Sequence, residues 1–216
     1  MDLLDLIAEA LIGGEDALVR ERTGRALAES RPAGEVLERG LIAGMTVISE
    51  RFRAHEIFLP DVLLSARAMQ AGMDVLKPLL ARDGVPLLGK IVIGTVRGDL
   101  HDIGKNLVSI LLKGAGFEVF DLGKDVPAER FVDTALAEGA PLIGMSALLT
   151  TTMTRMKDVV QLLRARGLGG RIKTIVGGAP LSPDFAREIG ADAYASDAAT
   201  AVGRVKALIA AAAPRT

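Results

Sequence analysis

Apolar and polar positions change period once along this chain. Up to about residue 82, apolar side chains recur every three or four positions, the spacing that lines one side of an α-helix. "DLLDLIAEAL" aligns Leu3, Leu6, Ile7 and Leu11, and "EVLERGLIAGMTVISERF" aligns Leu37, Leu41, Met45, Ile48 and Phe52. A further stripe holds Leu63, Leu64, Met69, Met73 and Leu76, in a helix whose first turn accommodates Pro60. Gly13-Gly14 and "SRPAG" at 30–34 interrupt the pattern, so the region predicts a small bundle of four helices. "KPLLARDGVPLLGK", with Pro78, Asp83, Gly84 and Pro86, reads as a linker and hinge. The boundary is placed near residue 84, between a helical domain 1–84 and a second domain 85–216.

Beyond the linker, short apolar runs alternate with helical patterns. "KIVIGTV" (90–96), "FEVFDL" (117–122), "PLIGMSA" (141–147), "RIKTIVGG" (171–178) and a weaker "DAYA" (192–195) read as strands. Helices fill 103–115, 127–138, 153–166, 183–189 and 197–212. Strands that are apolar almost throughout and separated by helices predict a parallel sheet covered on both faces. The expected fold class is therefore an N-terminal four-helix bundle followed by an α/β, flavodoxin-like (Rossmann-like), doubly wound sheet of five strands in the order 2-1-3-4-5. In that order the ligand crevice opens at the carboxyl ends of strands one and three, where the winding reverses.

Composition narrows what such a crevice can hold. Half of the residues are apolar, yet there are only six Phe, one Tyr and no Trp, so a flat ligand would rest on aliphatic and backbone surfaces. The 26 basic and 27 acidic residues leave a net charge of −1, which argues against nucleic acid as a partner. The absence of cysteine excludes disulfides, thiolate zinc and iron–sulfur ligation. The acidic start "MDLLDLIAEALIGGED" is unlike a secretory signal, and no apolar run reaches a membrane span, so the expectation is a soluble cytoplasmic protein with no membrane partner.

The loop after strand one is "RGDLHDIG", and the loop after strand three is "SALLTTTM". The only histidine of this domain, His101, therefore sits across the crevice from its densest group of hydroxyls. Asp99 and His101 lie two apart, so in an extended turn the carboxylate can hold one ring nitrogen and leave the other free as a metal ligand. One histidine is too little for a zinc or non-haem iron site, but it suffices as an axial ligand to a metal already held by a macrocycle. From spacing alone, a capped loop histidine is an equally good account of His101. Asp102 reads as the N-cap of the helix that begins at Ile103, and Lys105 and Asn106 as ordinary first-turn residues.

Taken together these strings carry a resemblance. "DLHDIG" is the Asp-x-His-x-x-Gly motif of cobalamin-binding proteins that bind the cofactor with its own benzimidazole displaced; "SALLTTT" resembles their Ser-x-Leu element and "GGAP" their Gly-Gly element. "GMTVISERFRAHEIFLPDVLLSARAM" resembles the helical cap of methionine synthase and of the small corrinoid proteins of methanol, methylamine and methoxyaromatic methyl transfer. The resemblance spans roughly residues 1–212.

It implies that the cofactor is cobalamin (methylcobalamin or hydroxocobalamin), with His101 as the lower axial ligand of its cobalt. Asp99 would hold the ring's other nitrogen, and Thr152, a serine in methionine synthase, would complete the relay. Ser146, Leu148 and Thr150 would line the cavity for the nucleotide tail, and Asp102 would lie beside it. Gly104, Gly177, Gly178 and Ala179 would let the base and ribose approach the backbone. Phe52 and Leu59 would shield the methyl-bearing face, whereas His55, a glycine in methionine synthase, reads as exposed. The implied activity is that of a methyl carrier cycling between Co(I) and methyl-Co(III), not catalytic alone. A substrate-specific methyltransferase would load it, an acceptor methyltransferase using tetrahydrofolate or a thiol would unload it, and a reductive activase would restore it. The alternatives are the cobalamin-binding subunit of an adenosylcobalamin mutase, which would need a substrate barrel, and a cobalamin-based sensor or regulator, which would need a basic DNA-reading module. A receiver domain would need an aspartate where Ser146 stands, and a flavodoxin would need aromatic residues around its flavin.

Overall fold

The computed structural model describes residues 2–85 and 87–212. They form two compact units, one of residues up to Leu87 with Gly114–Gly116, the other of Leu88–Lys113 with the residues from Phe117 onward.

The first unit is helical. α1 (Leu3–Ile12) and α2 (Asp16–Ala28) are separated at Gly13 and Gly14, the latter at φ +71°. α3 (Ala33–Glu35) runs without a break through a π-helical stretch, Val36–Ile42, into α4 (Ala43–Arg53); α5 (Leu59–Arg82) is the longest helix. Leu4, Ile7, Leu11, Val19, Leu41, Met45, Ile48 and Leu76 form the buried interior. Three expectations are corrected. Leu6 is half-buried, and its neighbour Leu4 takes the inward position. Leu63 and Leu64 are each 46% exposed, and Met73 is half-buried, while Val62, Ser65, Ala68, Met69, Ala71 and Gly72 face inward. The physical reason is close approach: a Cβ at Gly72 would lie 2.7 Å from Leu41 Cδ2 and 3.1 Å from Val19 Cγ1, so the small-residue side of α5 is the one that fits against its neighbours. Finally, Pro78 belongs inside α5 instead of a linker; its missing N–H leaves the carbonyl four residues back, at exposed Asp74, to water.

The second unit is a five-stranded sheet in which every pairing is parallel, ordered β2-β1-β3-β4-β5 as expected. The strands are β1 (Gly89–Thr95), β2 (Phe117–Asp121), β3 (Leu142–Ser146), β4 (Lys173–Gly177) and β5 (Ala193–Ala195). The helices are α6 (Ile103–Gly114), α7 (Ala128–Ala137), α8 (Thr150–Met153), α9 (Met156–Ala165), α10 (Pro183–Ile189) and α11 (Ala198–Ala212). Val92, Phe131, Val132, Ile143, Met145, Met156 and Val160 are among the residues that fill one face. The stretch after β3 departs from the expected open loop: α8 winds Thr150–Met153 into a helical turn ahead of α9. Pairing sets Thr95 opposite Ser146, Ser146 opposite Gly177 and Gly177 opposite Ala195, so four strands end in one row. The loops that follow them open at one edge of the sheet. Among the described residues, no helix is long and apolar enough to cross a membrane.

Candidate functional site

Asp99 is the centre of this edge. It is fully buried in the turn after β1, and both carboxylate oxygens are occupied. Oδ1 accepts the main-chain N–H of His101 at 3.0 Å and lies 2.8 Å from His101 Nδ1. Oδ2 accepts the Thr152 hydroxyl at 2.6 Å and the N–H groups of Leu148 at 2.8 Å and Leu149 at 3.3 Å. The carboxylate thereby ties the turn after β1 to the segment after β3.

Burial by itself opposes ionisation of Asp99. The Thr152 hydroxyl, the N–H groups of His101 and Leu148 and the His101 ring outweigh it and hold the carboxyl well below the usual carboxylate range. An ionised Asp99 only accepts hydrogen bonds, so Nδ1 of His101 keeps its proton and, in the neutral ring, the lone pair is on Nε2. The His101 side chain is 50% exposed, and Nε2 has no hydrogen-bond partner among the described residues.

The loops on both sides of the crevice expose apolar side chains. Leu100 (63% exposed) and Ile103 (74%) lie within two residues of His101 in sequence, and Leu148 and Leu149, also exposed, follow β3. Four exposed aliphatic side chains beside one imidazole are unexplained by the core. A Cβ at Gly104 would meet no atom within 4 Å, so the fold itself has no need of a glycine there. Among the described residues, no three His, Cys, Asp or Glu side chains gather into a metal site, so a metal at His101 must bring its other ligands with it. A corrinoid, which encloses its cobalt in a flat and largely apolar ring, fits this donor set.

The other expected residues are placed as follows. Ser146 is half-buried at the end of β3, and Thr150 is exposed at the start of α8. Asp102 precedes α6, and its carbonyl accepts the Asn106 N–H at 2.8 Å. Gly177 and Gly178 are half-buried and Ala179 is exposed. The space that a Cβ would take at Gly178 (φ +138°) is filled by the Ala147 carbonyl oxygen at 1.9 Å, and that at Gly177 is bounded by the Ala195 carbonyl at 3.1 Å. Phe52, half-buried in α4, and Leu59, at the start of α5, belong to the helical unit; His55 is exposed at φ +59°.

Lys105 is a correction. It is no ordinary first-turn residue: its side chain is 2% exposed, with Nζ 2.6 and 2.5 Å from the two oxygens of Asp121 and 2.7 Å from Asn106 Oδ1. The pair fastens the first turn of α6 to the end of β2. Leu100, Ile103 and Leu149 join Leu148 as exposed apolar residues of these loops, and apolar side chains in otherwise polar turns are the sequence signal that marks them.

A doubly wound parallel sheet with one carboxylate-held imidazole at the carboxyl edge of its strands defines the class: an α/β domain that presents a single half-exposed histidine at its ligand crevice. Comparison with known proteins identifies the family. A family model described as "B12 binding domain" matches residues 89–203, and a second model of the same description matches residues 3–77. Dimethylamine corrinoid protein 3 of Methanosarcina acetivorans is 44% identical over 207 residues, covering 96% of this chain and 97% of that one. A corrinoid protein of Desulfitobacterium hafniense is 43% identical, covering 94% of this chain and 95% of its own. Among solved structures, the methanol:cobalamin methyltransferase complex of Methanosarcina barkeri matches with a TM-score of 0.86 at 34% identity, covering 96% of this chain and 80% of that one. A cobalamin-binding protein of Desulfitobacterium hafniense matches with a TM-score of 0.78 at 35% identity, covering 96% and 98%. The chain belongs to the B12-binding corrinoid proteins, and its cofactor is a corrinoid.

Proposed function

We propose that this protein is the methyl carrier of a corrinoid methyltransferase system and binds cobalamin in the base-off form, with His101 Nε2 as the lower axial ligand. The observation that carries the reading is the state of that imidazole: Nδ1 is held by a buried, ionised carboxylate, and the half-exposed ring leaves Nε2 without a hydrogen-bond partner among the described residues. When bound, the corrinoid supplies a cobalt centre that accepts and releases a methyl group.

The chain's own residues set the terms of that chemistry. Asp99 fixes the tautomer and the orientation of the ring that offers Nε2. Thr152 and the Leu148 N–H keep Asp99 ionised, so its carboxylate would hold Nδ1 of a ring that offers Nε2 to the cobalt. Leu100, Ile103, Leu148 and Leu149 offer exposed apolar surface on which the corrinoid ring would rest. Gly104 leaves room at the backbone, and Ser146, Thr150, Gly177, Gly178 and Ala179 offer hydroxyl and main-chain groups for the displaced nucleotide tail. The first 84 residues act as a protective cap, with Phe52 and Leu59 as its apolar contributors, and residues 85–216 form the cofactor domain. Relatives named for dimethylamine and trimethylamine, and a structural match within a methanol methyltransferase complex, support a substrate-specific methyltransferase as the partner that loads the methyl group. An acceptor methyltransferase using tetrahydrofolate or a thiol then unloads it, and a reductive activase returns the cofactor to service.

The test is a titration of the cofactor-free protein with cobalamin, followed by electron paramagnetic resonance of the Co(II) form. Coupling to one protein imidazole nitrogen, lost in His101→Ala, is the expected result. Coupling to the cofactor's own benzimidazole in the wild type overturns the assignment.

A further inference from the structure

The turn that carries His101 is gripped by its main chain as well as through Asp99. Thr95, fully buried at the end of β1, donates its hydroxyl to the His101 carbonyl at 3.0 Å. The Thr95 N–H donates to the Gly123 carbonyl at 2.9 Å, and the Thr95 carbonyl accepts the Val126 N–H at 3.0 Å, so the hydroxyl stands on an immobilised strand end. From the segment after β2, Asp125 reaches the same turn twice. Its Oδ1 accepts the Gly98 N–H at 2.7 Å, and its own N–H donates to the Asp99 carbonyl at 3.1 Å. Asp125 does this from φ +55°, a left-handed conformation that residues other than glycine seldom adopt. Gly98, which receives the contact, is at φ +82°.

We propose that Thr95 and Asp125 are positioning residues that fix, through the main chain, the direction in which His101 offers Nε2; the proposal rests on the reading of His101 as the axial ligand. Asp99 can fix the ring only relative to itself, because donor and acceptor sit in one short turn. The Leu148, Leu149 and Thr152 bonds anchor that turn on the β3 side. Thr95 and Asp125 anchor it on the β1 and β2 side, at the His101 carbonyl and at Gly98. Without them the peptide after His101 is free to rotate, and its rotation swings the Cα–Cβ bond that aims the ring. The Asp99–Nδ1 contact then becomes one of several arrangements, and Nε2 no longer carries the lone pair in every molecule.

The full-length, cofactor-free chain allows a direct reading, because it has only two histidines and His55 serves as the internal reference. At about pH 9, where an ordinary imidazole is neutral, ring 15N chemical shifts report the tautomer of each. Wild-type His101 is expected almost entirely as the Nδ1–H form. In Thr95→Val, which keeps the shape and loses the hydroxyl, and in Asp125→Gly, which keeps the left-handed backbone and loses the carboxylate, the ratio of minor to major tautomer rises about three- to tenfold, the weight of roughly one hydrogen bond. Thr95→Ser and Asp125→Asn retain a donor and an acceptor and stay within about twofold of wild type. In the Co(II)-cobalamin protein, the same two disruptive variants lower the fraction of molecules with imidazole coupling. A purely structural role would lower thermal stability and leave the tautomer ratio of folded protein unchanged, which overturns the proposal. If Thr95→Val does not fold, Asp125→Gly, at an exposed position, decides alone. Failure of the ligand reading looks different: wild-type Co(II) protein shows benzimidazole coupling while the tautomer effect in the cofactor-free chain persists.

Discussion

Replacing Gly104 and Gly178 by alanine, one at a time, separates what the fold requires from what the cofactor requires. At Gly178 a Cβ would stand 1.9 Å from the Ala147 carbonyl oxygen and 3.0 Å from its carbon, at φ +138°. Both obstacles are main chain, so no side-chain rotation relieves them; the ends of β3 and β4 must part. Strain of this backbone region costs about 1–3 kcal/mol. Loosening the bond from the Ala147 N–H to the Gly177 carbonyl, 3.3 Å long, adds up to about 1 kcal/mol. Gly178→Ala is therefore expected to lose ~1–4 kcal/mol of unfolding free energy before any cofactor is added, a large part of the ~5–15 kcal/mol of an ordinary domain. At Gly104 the new methyl meets nothing within 4 Å and the backbone is not left-handed, so alanine should gain about 0.4–1 kcal/mol. Its cost should appear only with cobalamin present, as a loss of about 1–3 kcal/mol from overpacking against the ligand, or roughly fivefold to 150-fold in Kd. Urea unfolding of both cofactor-free variants by circular dichroism, with cobalamin titrations of the folded proteins, measures the four quantities. A neutral Gly178→Ala refutes the steric argument, and a Gly104→Ala that binds cobalamin like wild type refutes the assignment of that space to the ligand.

Thr152→Val removes the shortest bond to Asp99 and should cost about 1.5–3 kcal/mol, the range for a hydrogen bond to a charged group, with most of it recovered in Thr152→Ser; urea midpoints at constant m-value check this. In the Lys105–Asp121 pair the lysine is the buried partner, so Asp121→Ala, which strands a buried ammonium, should destabilise more than Lys105→Met, which leaves a partly exposed carboxylate that still accepts the Gly123 N–H. Equal losses in thermal melts would contradict that ranking. Asp197 precedes α11 and accepts the Thr200 N–H at 2.7 Å and hydroxyl at 2.8 Å. Burial opposes its ionisation, but the Thr200 N–H and hydroxyl, the Ser196 hydroxyl and the Ala199 N–H outweigh it and lower its pKa. Because the folded value is the lower one, this stabilisation is complete above the unfolded pKa of about 4 and fades as pH falls below it. Asp197→Ala should therefore cost about 1 kcal/mol at neutral pH and progressively less in acid; a difference from wild type that is unchanged between about pH 7 and pH 3 would sink the argument.

The amino-acid sequence by itself determined the architecture and the address of the site. The switch from helical spacing to short apolar runs announced a bundle followed by a doubly wound sheet, because these are properties of neighbouring residues that act over one or two turns. The strand order, and with it the edge where His101 and the "SALLTTTM" segment meet, followed from the number and alternation of those runs. The Asp99–His101 contact was legible for the same reason, since its partners are two residues apart. Tertiary structure alone decided what joins across distance. The bonds to Asp99 from Leu148, Leu149 and Thr152 bridge 49 to 53 residues and exist because β1 and β3 lie side by side in one register. The inward side of α5 went to Gly72 and its small neighbours instead of Leu63 and Leu64, because the space available outweighs the hydrophobicity of single residues. Lys105 became a buried partner of Asp121, and Gly178 was claimed by the Ala147 carbonyl while Gly104 stayed open. Periodicity shows which residues prefer to leave water, but only the packed chain shows which of them find room.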